Sequence, residues 1–190
     1  MKASLARIRH ARSKKDFPFL NLEEHEYVEL AITRSKKGLI LIWAVALIGI
    51  LVLGILSVVI VGHVTRSTAL KSETMSYFWM ILGLLSCLLL LGALVYSKIY
   101  LANKLYVTNK RVFQFAQSSL FAKSANIIEL SRIEDVSYKQ TSIIEHLFSF
   151  GTLRMSTVGD ETTYTFPYVD TPTDEVELIA HLIYTQKKKE

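Results

Sequence analysis

A chain of 190 residues has room for one or two domains. Hydrophobic residues make up 51% of it and the mean hydropathy is +0.30, high for a soluble domain. The net charge of +5 comes from the N-terminal segment and a short central loop. Residues 98–190 hold eleven basic and eleven acidic side chains, so they lack the basic face of a nucleic-acid reader.

The first predicted segment is a basic N-terminal region, residues 1–37, with nine Lys/Arg against five Asp/Glu. Its first fifteen residues carry Lys2, Arg7, Arg9, Arg12, Lys14 and Lys15 and no acid. Each such cation near an anionic surface contributes roughly 1 kcal/mol. The segment therefore reads as a surface that adsorbs to the cytoplasmic leaflet, with Leu5 and Ile8 too few to anchor it. A tail whose charges only fix topology fits equally well, and an organellar presequence has a similar composition.

Two charge-free runs follow, residues 38–62 and 74–97. At 1.5 Å per residue each helix would reach roughly 36 Å, enough to cross a hydrocarbon core of about 30 Å. Neither run has the polar stripe of a surface helix. Trp43, Tyr77, Trp79, Tyr96 and Tyr100 stand where interfacial aromatics belong. Basic residues crowd before the first run and after the second, at Lys98, Lys104, Lys110 and Arg111. The expectation is a multi-pass protein of the plasma membrane with both termini cytoplasmic and residues 63–73 as a short external loop. The first run starts too far into the chain, and is too long, for a cleavable signal peptide. A single cysteine, Cys87, lies in the middle of the second run, so no intrachain disulfide can form.

Residues 98–190 read as a strand-rich module. "KLYVT" and "RVFQFAQ" flank Asn109-Lys110, a two-residue hairpin turn in which Asn can take positive φ. "ANIIEL", "IEDVSYKQ", "GTLRMST" and "TTYTFPY" supply further strands. Alternation puts Tyr164, Phe166 and Tyr168 on one face, and Pro167 ends that strand or marks an edge. "TSIIEHLF" offers Ile143, Ile144, Leu147 and Phe148 at helical spacing, with Ser142 and Glu145 as a capping box. A last helix begins near Thr171-Pro172, carries Val176, Ile179, Leu182 and Ile183 as an apolar stripe, and ends in Lys187, Lys188 and Lys189. Six or seven antiparallel strands and one terminal helix predict a partly open barrel plugged by the helix.

These residues resemble a family. The stretch "YVTNKRVFQF…IIELSRIEDVSYKQTSIIEHLFSFGTLRMST" is similar to bacterial pleckstrin-homology-like (PH-like) membrane proteins. The resemblance rests on the T-N-x-R turn from Thr108 to Arg111, the L-x-x-I-x-x-V run of Leu130, Ile133 and Val136, and the short helix before Gly151-Thr152. It extends over residues 22–185, including the acidic lead-in "LEEHEYVEL". The chain departs from the family pattern where glycines are usual, with Ser118-Ser119 in one turn and Ser149-Phe150-Gly151 in another. The resemblance implies an α+β membrane protein: a two-helix transmembrane hairpin and a small antiparallel, barrel-like PH-like domain with a C-terminal helix. It also implies a groove beside that helix. In PH domains, cations on the first strand loops hold lipid head groups, and carried over here this reaches Lys110, Arg111 and Lys123. The competing reading pairs Arg111 with a neighbouring carboxylate and leaves the lysines solvated.

The five histidines lie in separate segments, with no Cys or carboxylate at metal-ligand spacing. There is no phosphate loop and no nucleophile elbow. Neither charge-free run holds an acid or base at its centre, as an ion pathway would. The expected function is a non-catalytic binding or scaffolding module without cofactor. Its expected partners are membrane lipids and a protein partner or second copy, not nucleic acid. The alternative is an accessory subunit of a membrane transport or envelope-stress assembly.

Overall fold

The computed structural model describes residues 2–67, 72–158, 163–170 and 172–187. Its elements, in chain order, are α1 (Lys2–Asp16), β1 (Val28–Thr33), α2 (Lys37–Ser67), α3 (Ser72–Ala102), β2 (Lys104–Thr108), β3 (Arg111–Gln117), β4 (Lys123–Glu129), a 3-10 turn (Leu130–Arg132), β5 (Ile133–Lys139), α4 (Ile143–Phe148), β6 (Phe150–Thr157), β7 (Thr163–Asp170) and α5 (Pro172–Lys187). The chain divides into two compact units, residues 1–35 with 101–190, and residues 36–100.

The second unit consists of α2 and α3. The stretches Lys37–Val64 and Thr74–Ala102 are long and apolar enough to cross a membrane, by length and composition. Few of their side chains are buried, whereas a core helix of a soluble domain hides most of its surface.

The first unit is a two-sheet module. One sheet has the order β1-β2-β3-β4, the other β5-β6-β7, and every pairing is antiparallel. The boundary expected between a basic tail and a module starting at residue 98 is replaced by a different division. Strand β1, from before the charge-free runs, pairs with β2, from after them, with Thr33 opposite Lys104 and Ala31 opposite Tyr106. "VELAIT" turns Ile32 into the core and packs Leu30 against it. This is the period-two pattern of a strand, in a segment whose acids obscure it.

The core lies between the sheets. Leu105, Val107, Val112 and Ile128 from the first sheet meet Ile133, Leu153, Met155, Phe166 and Val169 from the second. Helix α5 closes one side with Ile179 and Ile183 buried and Val176 and Leu182 packed against the cluster, as the apolar stripe predicts. Its expected Thr171 cap and the terminal Lys188 and Lys189 lie outside the described residues. The run Leu130, Ile133, Val136 carries the chain from one sheet to the other. Leu130, which opens the 3-10 turn, and Ile133, which follows it, are fully buried.

The barrel is not closed. Strands β4 and β5 fall in different sheets, and the two sheets are joined by contacts that include the Arg34–Val169 bridge, the Ser35 amide donating to the Tyr168 carbonyl and the Gln114 amide donating to the Thr165 carbonyl. Strand β7 is an edge, which accommodates Pro167. Between Gly151–Val169 and Leu153–Phe166 the pairing advances two residues on β6 and three on β7, a bulge. The extra residue breaks the expected alternation. Phe166 is buried and Tyr164 packs on the core, whereas Tyr168 takes φ 63° and lies exposed under the Arg34 guanidinium.

Helix α4 has its capping box: the Ser142 hydroxyl accepts from the Glu145 amide, and the Glu145 carboxylate accepts from the Ser142 amide. Bonds from the Thr141 and then the Ser142 amide hold that carboxyl below its ordinary range. The apolar spacing of α4 does not bury it, however. Ile143 is 87% and Leu147 76% exposed. The helix ends at Ser149 with φ 52° and ψ 47°, left-handed backbone at one of the positions where the resemblance leads glycine to be expected. Ser149→Gly is therefore expected to raise stability by about 1 kcal/mol, read as an increase in Tm. Gly151 stands where a Cβ would fall on the Tyr138 ring, which accounts for glycine in the Gly151-Thr152 motif.

Candidate functional site

The T-N-x-R turn is a latch that holds the acidic lead-in. Strands β2 and β3 are joined by two residues, as predicted, but Asn109 is not among the positive-φ residues. The Thr108 hydroxyl instead accepts from the Arg111 amide. Asn109 binds the lead-in: its Oδ1 accepts from the Tyr27 amide at 3.0 Å and its Nδ2 donates to the His25 carbonyl. His25 takes φ 65°, and the next residue, Glu26, is fully buried.

Glu26 is the centre of this latch. Its carboxylate receives Arg111 Nη2 at 2.5 Å and Nε at 3.2 Å, the Thr108 hydroxyl at 2.7 Å and the Glu23 amide at 2.9 Å. Burial pushes its pKa up. The bonds from Arg111, the Glu23 amide and Thr108, with the Arg111 charge, outweigh that and leave it lowered. Lys110 Nζ donates to Glu23 at 3.0 Å, and Arg111 also pairs with Glu23 at 3.3 Å. The two cations that family likeness offers as ligand contacts are thus occupied by carboxylates of the same chain.

Lys123 is elsewhere. It opens β4 opposite Gln117, whereas Arg111 opens β3 opposite Glu129. A seven-residue strand separates them by roughly 20 Å. The structure therefore does not bring Lys110, Arg111 and Lys123 together. Lys123 instead joins Lys104 in a cleft of about 380 Å³ on the outer face of the first sheet, lined also by Phe19, Tyr106, Phe115, Gln117 and Ser124. No carboxylate is among the residues lining it.

The N-terminal segment builds one wall of this cleft. Phe17, Leu20 and Leu22 pack on Tyr106 and Phe113, so the first sheet is covered on both faces. Phe19 meets Tyr106 and Phe115 edge-on, with ring centroids 5.5 and 5.9 Å apart. "FPFL" at residues 17–20 carried the signal for this cover, an aromatic pair with no helical period. Two apolar faces also explain why β2 reads as a nearly continuous hydrophobic run.

The basic segment expected at the leaflet is helix α1, packed on the start of β1. The Ser13 hydroxyl accepts from the Val28 amide, and His10 Nδ1 lies 2.5 Å from the Glu26 carbonyl oxygen. Arg9 pairs with Glu29 and lies over the Tyr27 ring, and Arg12 pairs with Asp16. Arg7, Lys14 and Lys15 are exposed. The start of β1 pairs with Thr108, at the end of the sheet opposite Thr33 and Lys104. Beside α5, where a groove was expected, lies a smaller polar recess formed by Glu23, Lys110, Arg111, Glu129, Ser131 and Gln186.

No curated protein compared with the chain matches it. The sequence model of the bacterial PH domain family matches residues 17–186, which takes in the acidic lead-in, both apolar helices and all seven strands. With two antiparallel sheets, a C-terminal helix and a latch that joins the lead-in to the T-N-x-R turn, the chain belongs to the bacterial PH domain family.

Proposed function

We propose that this protein is an integral membrane protein that holds a non-catalytic PH-like binding module at the cytoplasmic surface of the inner leaflet. The observation that carries the reading is the insertion of two exposed helices, each with a long charge-free run, between β1 and β2, adjacent strands of one sheet. A module tethered by both strands meets membrane-borne ligands at high effective concentration. Single cysteines at Ser67 and Ser137, in a Cys87→Ser background, test the topology. Position 67 should react with an impermeant thiol reagent on intact cells, and position 137 only after permeabilisation. Labelling of position 137 from outside sinks the reading.

The ligand site is the cleft between Phe19, Tyr106 and Phe115, with Lys104 and Lys123 at its edge. Aromatic walls and two lysines without a lining acid suit an anionic amphipath. Dihexanoyl phosphatidic acid, titrated against the detergent-solubilised protein, is expected to bind better than dihexanoyl phosphatidylcholine. Lys104→Ala and Lys123→Ala should each weaken the anionic ligand about fivefold, since a lysine near such a charge contributes roughly 1 kcal/mol. Equal affinity for both lipids removes the cleft as an anion site.

A further inference from the structure

Two exposed apolar elements lie at the same end of the module. The first is the β3–β4 loop, where Phe121 is 96% and Leu120 51% exposed. Its flanks pair as Gln117 with Lys123, beyond the Lys104–Phe115 pair that starts β2. The second is α4, with Ile143, Ile144 and Leu147 exposed. It joins the end of β5 to the start of β6, where Phe150 pairs with Asp170 and Gly151 with Val169.

Both chain passages to the apolar helices leave from this end. Thr33 pairs with Lys104, Arg34 bridges to Val169, and the Ser35 amide donates to the Tyr168 carbonyl at 2.6 Å. Only two residues, Lys36 and Lys37, separate Ser35 from the charge-free run that starts at Gly38, a reach of roughly 10 Å over three chain steps. The latch and the start of β1 lie at the other end.

We infer that Phe121 with Leu120, and Ile143 with Leu147, insert into the lipid interface as two apolar feet on which the module rests. This inference rests on the reading of α2 and α3 as membrane-spanning. Charge complements the apolar contact. Lys104, Lys123 and Lys139 surround these elements, and the Glu145 carboxylate is turned to the Thr141 and Ser142 amides. Cations beside a shallow apolar insertion fit anionic head groups above acyl chains. Exposed leucine, isoleucine and phenylalanine in one region mark a surface that is covered in use, and the tether places lipid within its reach.

The test uses the full chain in liposomes containing anionic lipid. Single cysteines at positions 121, 147 and 24, in a Cys87→Ser background, carry an environment-sensitive fluorophore. Glu24 is an exposed control near the latch. Wild-type protein labelled at its own Cys87 reports on the helices. Lipids spin-labelled high on the acyl chain should remove most of the emission at 121 and 147 and little at 24, and lipids spin-labelled near the chain end, at the bilayer centre, should quench Cys87. Quenching at Cys87 without quenching at 121 and 147 overturns the two feet and leaves the membrane reading intact. No quenching at Cys87 overturns both. Labels at 121 and 147 that are shielded from aqueous iodide but untouched by the lipid quencher would be covered by protein, and the lipid assignment would be wrong.

Discussion

Arg111→Ala is expected to destabilise the protein by about 3–5 kcal/mol, because it leaves the fully buried Glu26 without its cation. Glu26→Gln should cost less. Arg111 keeps Glu23 and some solvent, and the loss is that of a charged hydrogen bond, about 1.5–3 kcal/mol. Replacing both partners by methionine should recover most of the loss, since a buried pair and an apolar pair of similar volume differ little in stability. Circular dichroism of thermal unfolding in detergent measures all three. An Arg111→Ala loss below about 1 kcal/mol would make the latch an ordinary surface pair.

The pH dependence has a definite sign. Glu26 has a folded pKa below its ordinary 4.5. Its pairing therefore contributes fully above that value and is lost as pH falls through the lowered folded pKa. In Arg111→Ala burial prevails and the folded pKa rises instead. The sign reverses, and the variant loses stability as pH increases through the raised value. Wild type should weaken on acidification below pH 4.5, while the variant gains relative to it over the same range. Parallel pH profiles for the two would remove Glu26 as the group responsible.

Strands β2 and β3 were legible to the residue because β-branched and aromatic side chains stop sharply at Asn109-Lys110. The stripe of α5 and the capping box of α4 were legible for the same reason: both are local patterns with a known period. The latch was not. Glu26 is one of four acids in "EEHEYVE", and nothing local separates it from its neighbours. Its burial is decided by Thr108 and Arg111, more than eighty residues away. Strand β1 was hidden likewise, since its partner comes after two membrane-length helices. Helix α4 shows a further limit. Apolar spacing reports that a face exists, not what covers it: Phe148 stacks on Phe150, while Ile143, Ile144 and Leu147 stay exposed. Lys110 and Arg111 stand apart from Lys123 for a geometric reason. Successive hairpin loops of a meander lie at opposite ends of the sheet, so loops close in sequence hold their cations a strand length apart.

A chain of residues 98–190 alone is expected not to fold, whereas residues 17–35 joined by a short Gly/Ser linker to residues 101–186 should. Removing the first 35 residues strips β1 from the edge of β2 and exposes the backbone groups that pair Ala31 with Tyr106 and Thr33 with Lys104. It also removes buried Leu20 and Ile32, each contributing about 2–3 kcal/mol, and takes Glu26 from Arg111. With the latch, the loss approaches about 10 kcal/mol, comparable with the whole stability of an ordinary domain. The fusion restores these contacts without the apolar helices. Thr33 and Lys104 are already neighbours across a pair, so residues 34, 35 and 101–103 with a short linker can replace the intervening chain as the connection between the two strands. Amide spectra of the two soluble chains decide the matter. Dispersed signals from the fusion and collapsed ones from residues 98–190 are the expected pair. A cooperative, dispersed fold for residues 98–190 would mean that β1 is an accessory to the module and not one of its structural strands.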